Sequence, residues 1–128
     1  MNDDIPERRR YKRVYFSKPN SLVGILKLSD NHEASLTAYV KDLSEGGIGF
    51  AIKRDHNHKI IPGNRLTIKK IQGSEDLGFI NNIKIKVAWV RDFDGLEYVG
   101  FGCEFFGLPQ TSREKIRNYV KILTKLGT

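Results

Sequence analysis

Ile83-Lys84-Ile85-Lys86-Val87-Ala88-Trp89 decides the fold of this chain. Apolar and basic residues alternate along most of it with a period of two, as in a strand with one face on a core and one in water. The pattern predicts Ile83, Ile85, Val87 and Trp89 on the buried face, with Lys84 and Lys86 on the wet one. Downstream, a turn over Asp92 to Gly95 leads into a strand from Tyr98 to Phe106, where Gly100 and Gly102 point to a bend or a close backbone approach. Upstream, the loop Gly73-Ser74-Glu75-Asp76 and the tight turn Pro62-Gly63-Asn64 bracket a strand from Leu66 to Ile71. Earlier still, Leu36 to Leu43 alternates, with Leu36, Ala38 and Val40 opposite Thr37, Tyr39 and Lys41. Gly46-Gly47 closes that strand and Ile48 to Ile52 opens the next. Leu22 to Leu28 is a further strand, set between the turn-rich Ser17-Lys18-Pro19-Asn20 and Asp30-Asn31-His32-Glu33. Val14-Tyr15-Phe16 starts an extended stretch.

The period changes near the C-terminus. Thr111-Ser112-Arg113-Glu114 matches a capping box with Thr111 as N-cap, and Ile116, Tyr119, Val120, Leu123 and Leu126 follow at helical spacing. A helix over about residues 112–126 is predicted. The expected fold is mainly β, an antiparallel barrel of about six strands with the terminal helix covering one side.

A length of 128 residues fits one domain with a single core that needs neither disulfide nor metal. Residues 1–7 are polar and aperiodic, and are expected to be a flexible N-terminal tail ahead of a domain over 8–128. The formal charge of +7 favours anionic partners, and it is equally the charge of a generic solvated basic surface. The single Cys103 lies in an apolar run, which suits a buried packing residue in a reducing cytosol. No apolar stretch is long enough for a transmembrane segment, and Met1-Asn2-Asp3-Asp4 lacks the basic start of a secretory signal, so a cytoplasmic location is expected. His56-Asn57-His58 offers two imidazoles without the set that completes tetrahedral metal ligation, and reads as a solvated loop. No Walker-type loop, Ser/His/Asp or Cys/His arrangement can be assembled, and Glu7, Glu33 and Glu104 are isolated carboxylates. Neither catalysis, a metal nor a cofactor is expected.

Two motifs carry chemistry. The first is the basic cluster Arg8-Arg9-Arg10-Tyr11-Lys12-Arg13. An arginine fork matches paired phosphate oxygens or the O6 and N7 edge of guanine, and its plane stacks on a base. Arg9 and Arg13 span at most about 14 Å, so both reach one compact dinucleotide. Alone, the cluster also fits a solvated tail or a non-specific nucleic-acid arm. The second is Asp42-Leu43-Ser44-Glu45-Gly46-Gly47. On an extended chain Asp42 and Ser44 share a face, suited to the N1–H and exocyclic amine of guanine. Gly47 permits positive φ or the close approach of a planar base. Alone, this motif also fits an ordinary strand end.

Together the motifs resemble the PilZ domain family, which combines an Arg-x-x-x-Arg segment with an Asp/Asn-x-Ser-x-x-Gly motif on a barrel. Here they fall on Arg9 and Arg13, and on Asp42, Ser44 and Gly47. Ile48-Gly49-Phe50, Pro62-Gly63-Asn64-Arg65-Leu66, Val87-Ala88-Trp89-Val90 and Gly100-Phe101-Gly102-Cys103-Glu104-Phe105 extend the likeness across residues 8–126. The resemblance implies a bacterial receptor for cyclic di-GMP. Arg9 and Arg13 would hold phosphates and a base, Asp42 and Ser44 would read guanine, and Gly46 and Gly47 would admit it. Arg8 would help hold a second, intercalated ligand molecule. Mutual repulsion within the segment 8–13 is expected to keep it loose until a dianionic ligand pins it to the barrel. An unidentified downstream protein and a possible homodimer complete the implied partners. The alternatives are a single-stranded nucleic-acid-binding barrel similar in outline to the OB-fold, with Tyr11, Tyr15 and Phe16 stacking on bases, and a PilZ-like interaction module that binds no nucleotide.

Overall fold

The structure is a computed structural model describing residues 11–16, 22–28, 31–54, 60–92 and 97–126, with backbone alone at 31–34 and 126. Seven strands are present among them: β1 (Arg13–Tyr15), β2 (Val23–Leu28), β3 (Asn31–Ser44), β4 (Gly47–Lys53), β5 (Arg65–Gln72), β6 (Ile83–Arg91) and β7 (Tyr98–Phe105). One helix, α1 (Gln110–Leu126), follows. The strand order is β1-β3-β2-β5-β6-β7-β4, and β4 pairs back onto β3, which closes six strands into an antiparallel barrel. Closure removes the open edges that a flat sheet of this size would expose.

The length of β3 makes room for the seventh strand. β2 occupies one edge of β3 as far as Tyr39, and β1 takes over from Asp42 to Ser44. β4 lies along the other edge. The alternation in the sequence becomes the division between inside and outside. Leu26, Leu43, Ile48, Leu66, Ile85 and Phe101 all fill the interior, each side chain contributing about 1.5–3 kcal/mol of burial. Phe50 and Phe101 meet with ring centroids 5.5 Å apart. Ile116 and Val120 are the residues of α1 buried against the barrel.

Three details differ from the sequence reading. Asn31 pairs with Leu28 inside β3 instead of forming a turn, after a register shift at Lys27 and Leu28. The helix begins at Gln110, so Thr111 lies in its first turn and is not the N-cap. The Pro109 carbonyl accepts the Arg113 N–H at 2.9 Å, and the ring of Pro109 sets the chain for a helix two residues earlier than expected. The third concerns Trp89. The pairing of β6 with β7 slips between Val87 and Trp89, so Ala88 is an extra residue opposite Cys103 and Gly102. Such a bulge reverses the alternation. Val87 stays inside, and Trp89 turns outward with 41 % of its surface exposed. Among the described residues no helix is long and apolar enough to cross a membrane.

Candidate functional site

The site is built where β3 changes partners. Its register with β4 shifts between Val40 and Asp42, which sends Leu43 into the core and sets Asp42 and Ser44 on the opposite face. β1 lies alongside, with Arg13 opposite Ser44 and Tyr15 opposite Asp42, while Val14 packs on the core. Arg13 therefore sits diagonal to Asp42, and its Nη1 donates to Asp42 Oδ1 at 2.6 Å. Arg13 Nε is buried and has no hydrogen-bond partner among the described residues. The structure thus joins one residue of the basic cluster to one of the second motif. Arg8, Arg9 and Arg10 lie outside the described residues, as do His56 and His58. The expectation that repulsion keeps the whole segment loose fails at Arg13, because the Asp42 carboxylate supplies its counter-charge.

From Asp42 a single cross-strand row runs through Gly49 of β4 and Gly102 of β7 to Trp89 of β6. The next outward row is Tyr39, Ala51, Gly100 and Arg91. Three glycines and an alanine thus give the barrel's outer face a strip with little side chain of its own, and Gly49, Ala51 and Gly102 in it are buried under their neighbours. Side chains lean over it from both ends. A Cβ at Gly49 would strike the Asp42 carboxylate, and one at Gly102 would strike the Trp89 indole. The Arg91 guanidinium stands 4.9 Å over the Trp89 ring. With strands about 4.8 Å apart, the Asp42 and Trp89 backbones are about 14 Å from each other. The strip carries a cation–carboxylate pair at one end and an indole–guanidinium pair at the other.

The turn after β3 holds the remaining motif residues. Ser44 is 2 % exposed, and its Oγ accepts the Gly46 N–H at 3.2 Å, a local bond that shapes the turn. The Tyr11 ring lies over Gly46, close enough to exclude a Cβ. Gly47 is not among the glycines with positive φ, which are Gly63, Gly73 and Gly107. What Gly47 requires is the close passage of β7, since a Cβ there would enter the Cys103 carbonyl.

Glu45 is 8 % exposed and charged. Arg117 of α1 donates to both of its oxygens, through Nε at 2.9 Å and Nη2 at 2.8 Å, and Arg113 stands 3.7 Å away. Those Arg117 hydrogen bonds, with the two arginine charges, hold its carboxyl below the usual range against the opposing effect of burial. Burial pushes the Cys103 thiol up to about 12, so it is inert. Glu45 and Trp89 both escaped the sequence reading of the site. For Trp89 a usable signal was present, because Gly102 implied that something large approaches its backbone. Among the described residues no cluster of His, Cys, Asp and Glu is arranged to hold a metal.

Comparison with known proteins places this geometry. The chain superposes on the PilZ domain of Escherichia coli YcgR with c-di-GMP, at 18% identity and TM-score 0.69 over 94% of both chains. It also superposes on a K. pneumonia MrkH–c-di-GMP complex at 17% identity and TM-score 0.65, covering 94% of this chain and 54% of that one. For a longer E. coli YcgR chain in complex with c-di-GMP the values are 19% and 0.70, over 94% of this chain and 47% of that one. The chain therefore spans about half the length of these longer proteins. No curated protein matches it. The family model described as the PilZ domain matches residues 7–121, and the chain belongs to the PilZ domain family.

Proposed function

We propose that this protein is a cyclic di-GMP-binding effector in bacterial second-messenger signalling. One observation carries the reading: the Arg13–Asp42 pair stands at one end of a glycine strip that Trp89 bounds on the far side. Arg13 Nε is a donor without an acceptor among the described residues, and a phosphate oxygen satisfies it. Asp42 commits Oδ1 to Arg13, which leaves Oδ2, lying against Gly49, to accept from a guanine edge. Ser44 accepts from Gly46 and keeps its own O–H to donate. Gly46 and Gly47 border the same turn, and Trp89 with Arg91 offers a stacking surface for a purine. The nucleotide complexes of the YcgR and MrkH neighbours support this assignment.

Arg9, with Arg8 beside it, completes the phosphate grip and holds a second intercalated nucleotide. In this reading residues 8–13 are a switch segment already fastened to the barrel at Arg13, and ligand orders the rest of it. Ordering costs about 2–5 kcal/mol, and several charge-assisted hydrogen bonds at about 1.5–3 kcal/mol each offset it. The role is binding and signalling through a downstream protein, with self-association into a homodimer as a further element.

Calorimetric titration with cyclic di-GMP, and with GTP and GMP as controls, tests the reading. Saturable binding of the cyclic dinucleotide alone is expected, with a change in fluorescence of the single tryptophan. Failure to bind it at millimolar concentration overturns the proposal.

A further inference from the structure

Beyond the glycine strip, the outer faces of β2, β5 and β6 carry a second concentration of positive charge. Lys27 of β2 and Lys84 of β6 flank Thr67 of β5 in one cross-strand row. In the next row Arg65 and Lys86 are paired directly, and Lys70 stands farther along β5. The alternate residues Leu26, Leu66, Ile68 and Ile85 are buried, so these cations face away from the core. Like charges directly opposite each other destabilise a sheet, yet Arg65 and Lys86 occupy such a pair. Among the described residues none of the five is in an ion pair. The pairs present are Arg13–Asp42, Arg54–Asp92, and Arg113 and Arg117 with Glu45. The one carboxylate in these rows is Glu104, in register with Lys86.

An aromatic ring stands among the cations. Phe106, just beyond β7, is 48 % exposed, and the Arg65 guanidinium lies 5.0 Å over its ring. Its N–H donates to the Lys84 carbonyl at 2.9 Å, which fixes the ring beside the lysines. Lys27 and Lys84 are two strands apart, about 10 Å, and Lys84 and Lys86 are about 7 Å apart along one strand. That spread is wider than one mononucleotide, and the shorter step is comparable with the spacing of successive phosphates on an extended strand. The exposed ring is roofed by Arg65, a planar pair that favours a stacked base over insertion among lipid tails.

We propose that this face binds single-stranded nucleic acid. Lys27, Lys70, Lys84 and Lys86 follow the phosphates, and the Arg65–Phe106 pair presents a plane on which a base stacks. The surface is separate from the Arg13–Asp42 end of the glycine strip, and the proposal does not depend on the nucleotide reading.

Fluorescence anisotropy with a labelled oligothymidylate about twenty nucleotides long tests it across a salt series. Four phosphate contacts give a slope of log K against log salt near about −3. Lys27→Glu with Lys84→Glu should lower affinity at least about tenfold, flatten the slope by about 1.4, and leave cyclic di-GMP binding unchanged. Phe106→Ala should weaken binding without changing the slope, with circular dichroism confirming that each variant folds. Oligonucleotide binding that ignores the lysine reversals, or is lost only in Arg9→Ala/Arg13→Ala, moves the contact to the N-terminal cluster and overturns the proposal. So does lysine-dependent binding to phosphatidylserine vesicles by a protein that ignores the oligonucleotide.

Discussion

Arg13 donates through Nη1 to Asp42 and keeps Nε for another acceptor. Arg13→Ala therefore removes a ligand contact and also leaves the largely buried Asp42 carboxylate without its counter-charge. Affinity for cyclic di-GMP should fall by about 2–5 kcal/mol, roughly thirtyfold or more, by calorimetry. Asp42→Ala should weaken binding of cyclic di-GMP more than binding of pyrophosphate, and equal losses would contradict a base-reading carboxylate. Gly47 tests the barrel instead of the ligand. A methyl group there meets the Cys103 carbonyl on the adjacent strand, and backbone cannot rotate away as a side chain can. Gly47→Ala should cost about 1–3 kcal/mol of stability, measured as a lower urea midpoint. The residue types of this site were legible from spacing, since Asp42 and Ser44 share a face on any strand. The Arg13–Asp42 bond was not, because it spans 29 residues and depends on the register of β1 against β3.

Among the elements, α1 is tied to the turn after β3 by Glu45 and Arg117. That clamp fastens the helix to the same turn that carries Ser44 and Gly46. Folding holds the Glu45 pKa below its ordinary 4.5, so the contribution is complete above that value and is lost as pH falls through the depressed one. Glu45→Gln should lower the melting temperature at pH 7, with the gap to wild type closing only in acid, as the Glu45 carboxyl protonates below its ordinary range. Because Arg117 is half exposed, water and salt weaken the pair and the gap should also shrink at high ionic strength. An unchanged gap across pH would assign the loss to packing. Strand positions were readable because alternation survives wherever a strand has one wet face. Trp89 escaped because a period of two continues to predict burial across an inserted residue, and Ala88 is that residue. Glu45 gave no local cue, its partner being 72 positions away.

For the whole molecule, closure of β4 onto β3 makes the interior continuous and seals Cys103 within it. A thiol pushed up to about 12 holds almost no thiolate at pH 8. A disulfide reagent should label Cys103 only as the barrel opens, at a rate that rises with denaturant. Fast labelling of native protein would mean that β7 leaves the barrel locally. The class of fold was legible from strand count, turn residues and the switch to helical period. The barrel of about six strands was expected and is the one formed, but the order of its strands was not legible, since nothing in a strand's own residues names both neighbours. The short β1 has one more implication. With only three rungs, Arg13, Val14 and Tyr15, its outward and inward positions are a matter of odd and even. An insertion or deletion that shifts β1 by one place along β3 would swap Arg13 with Val14, burying a cation and wetting a core residue. Slips of β1 along β3 are therefore tolerable only in steps of two, which leave that parity untouched.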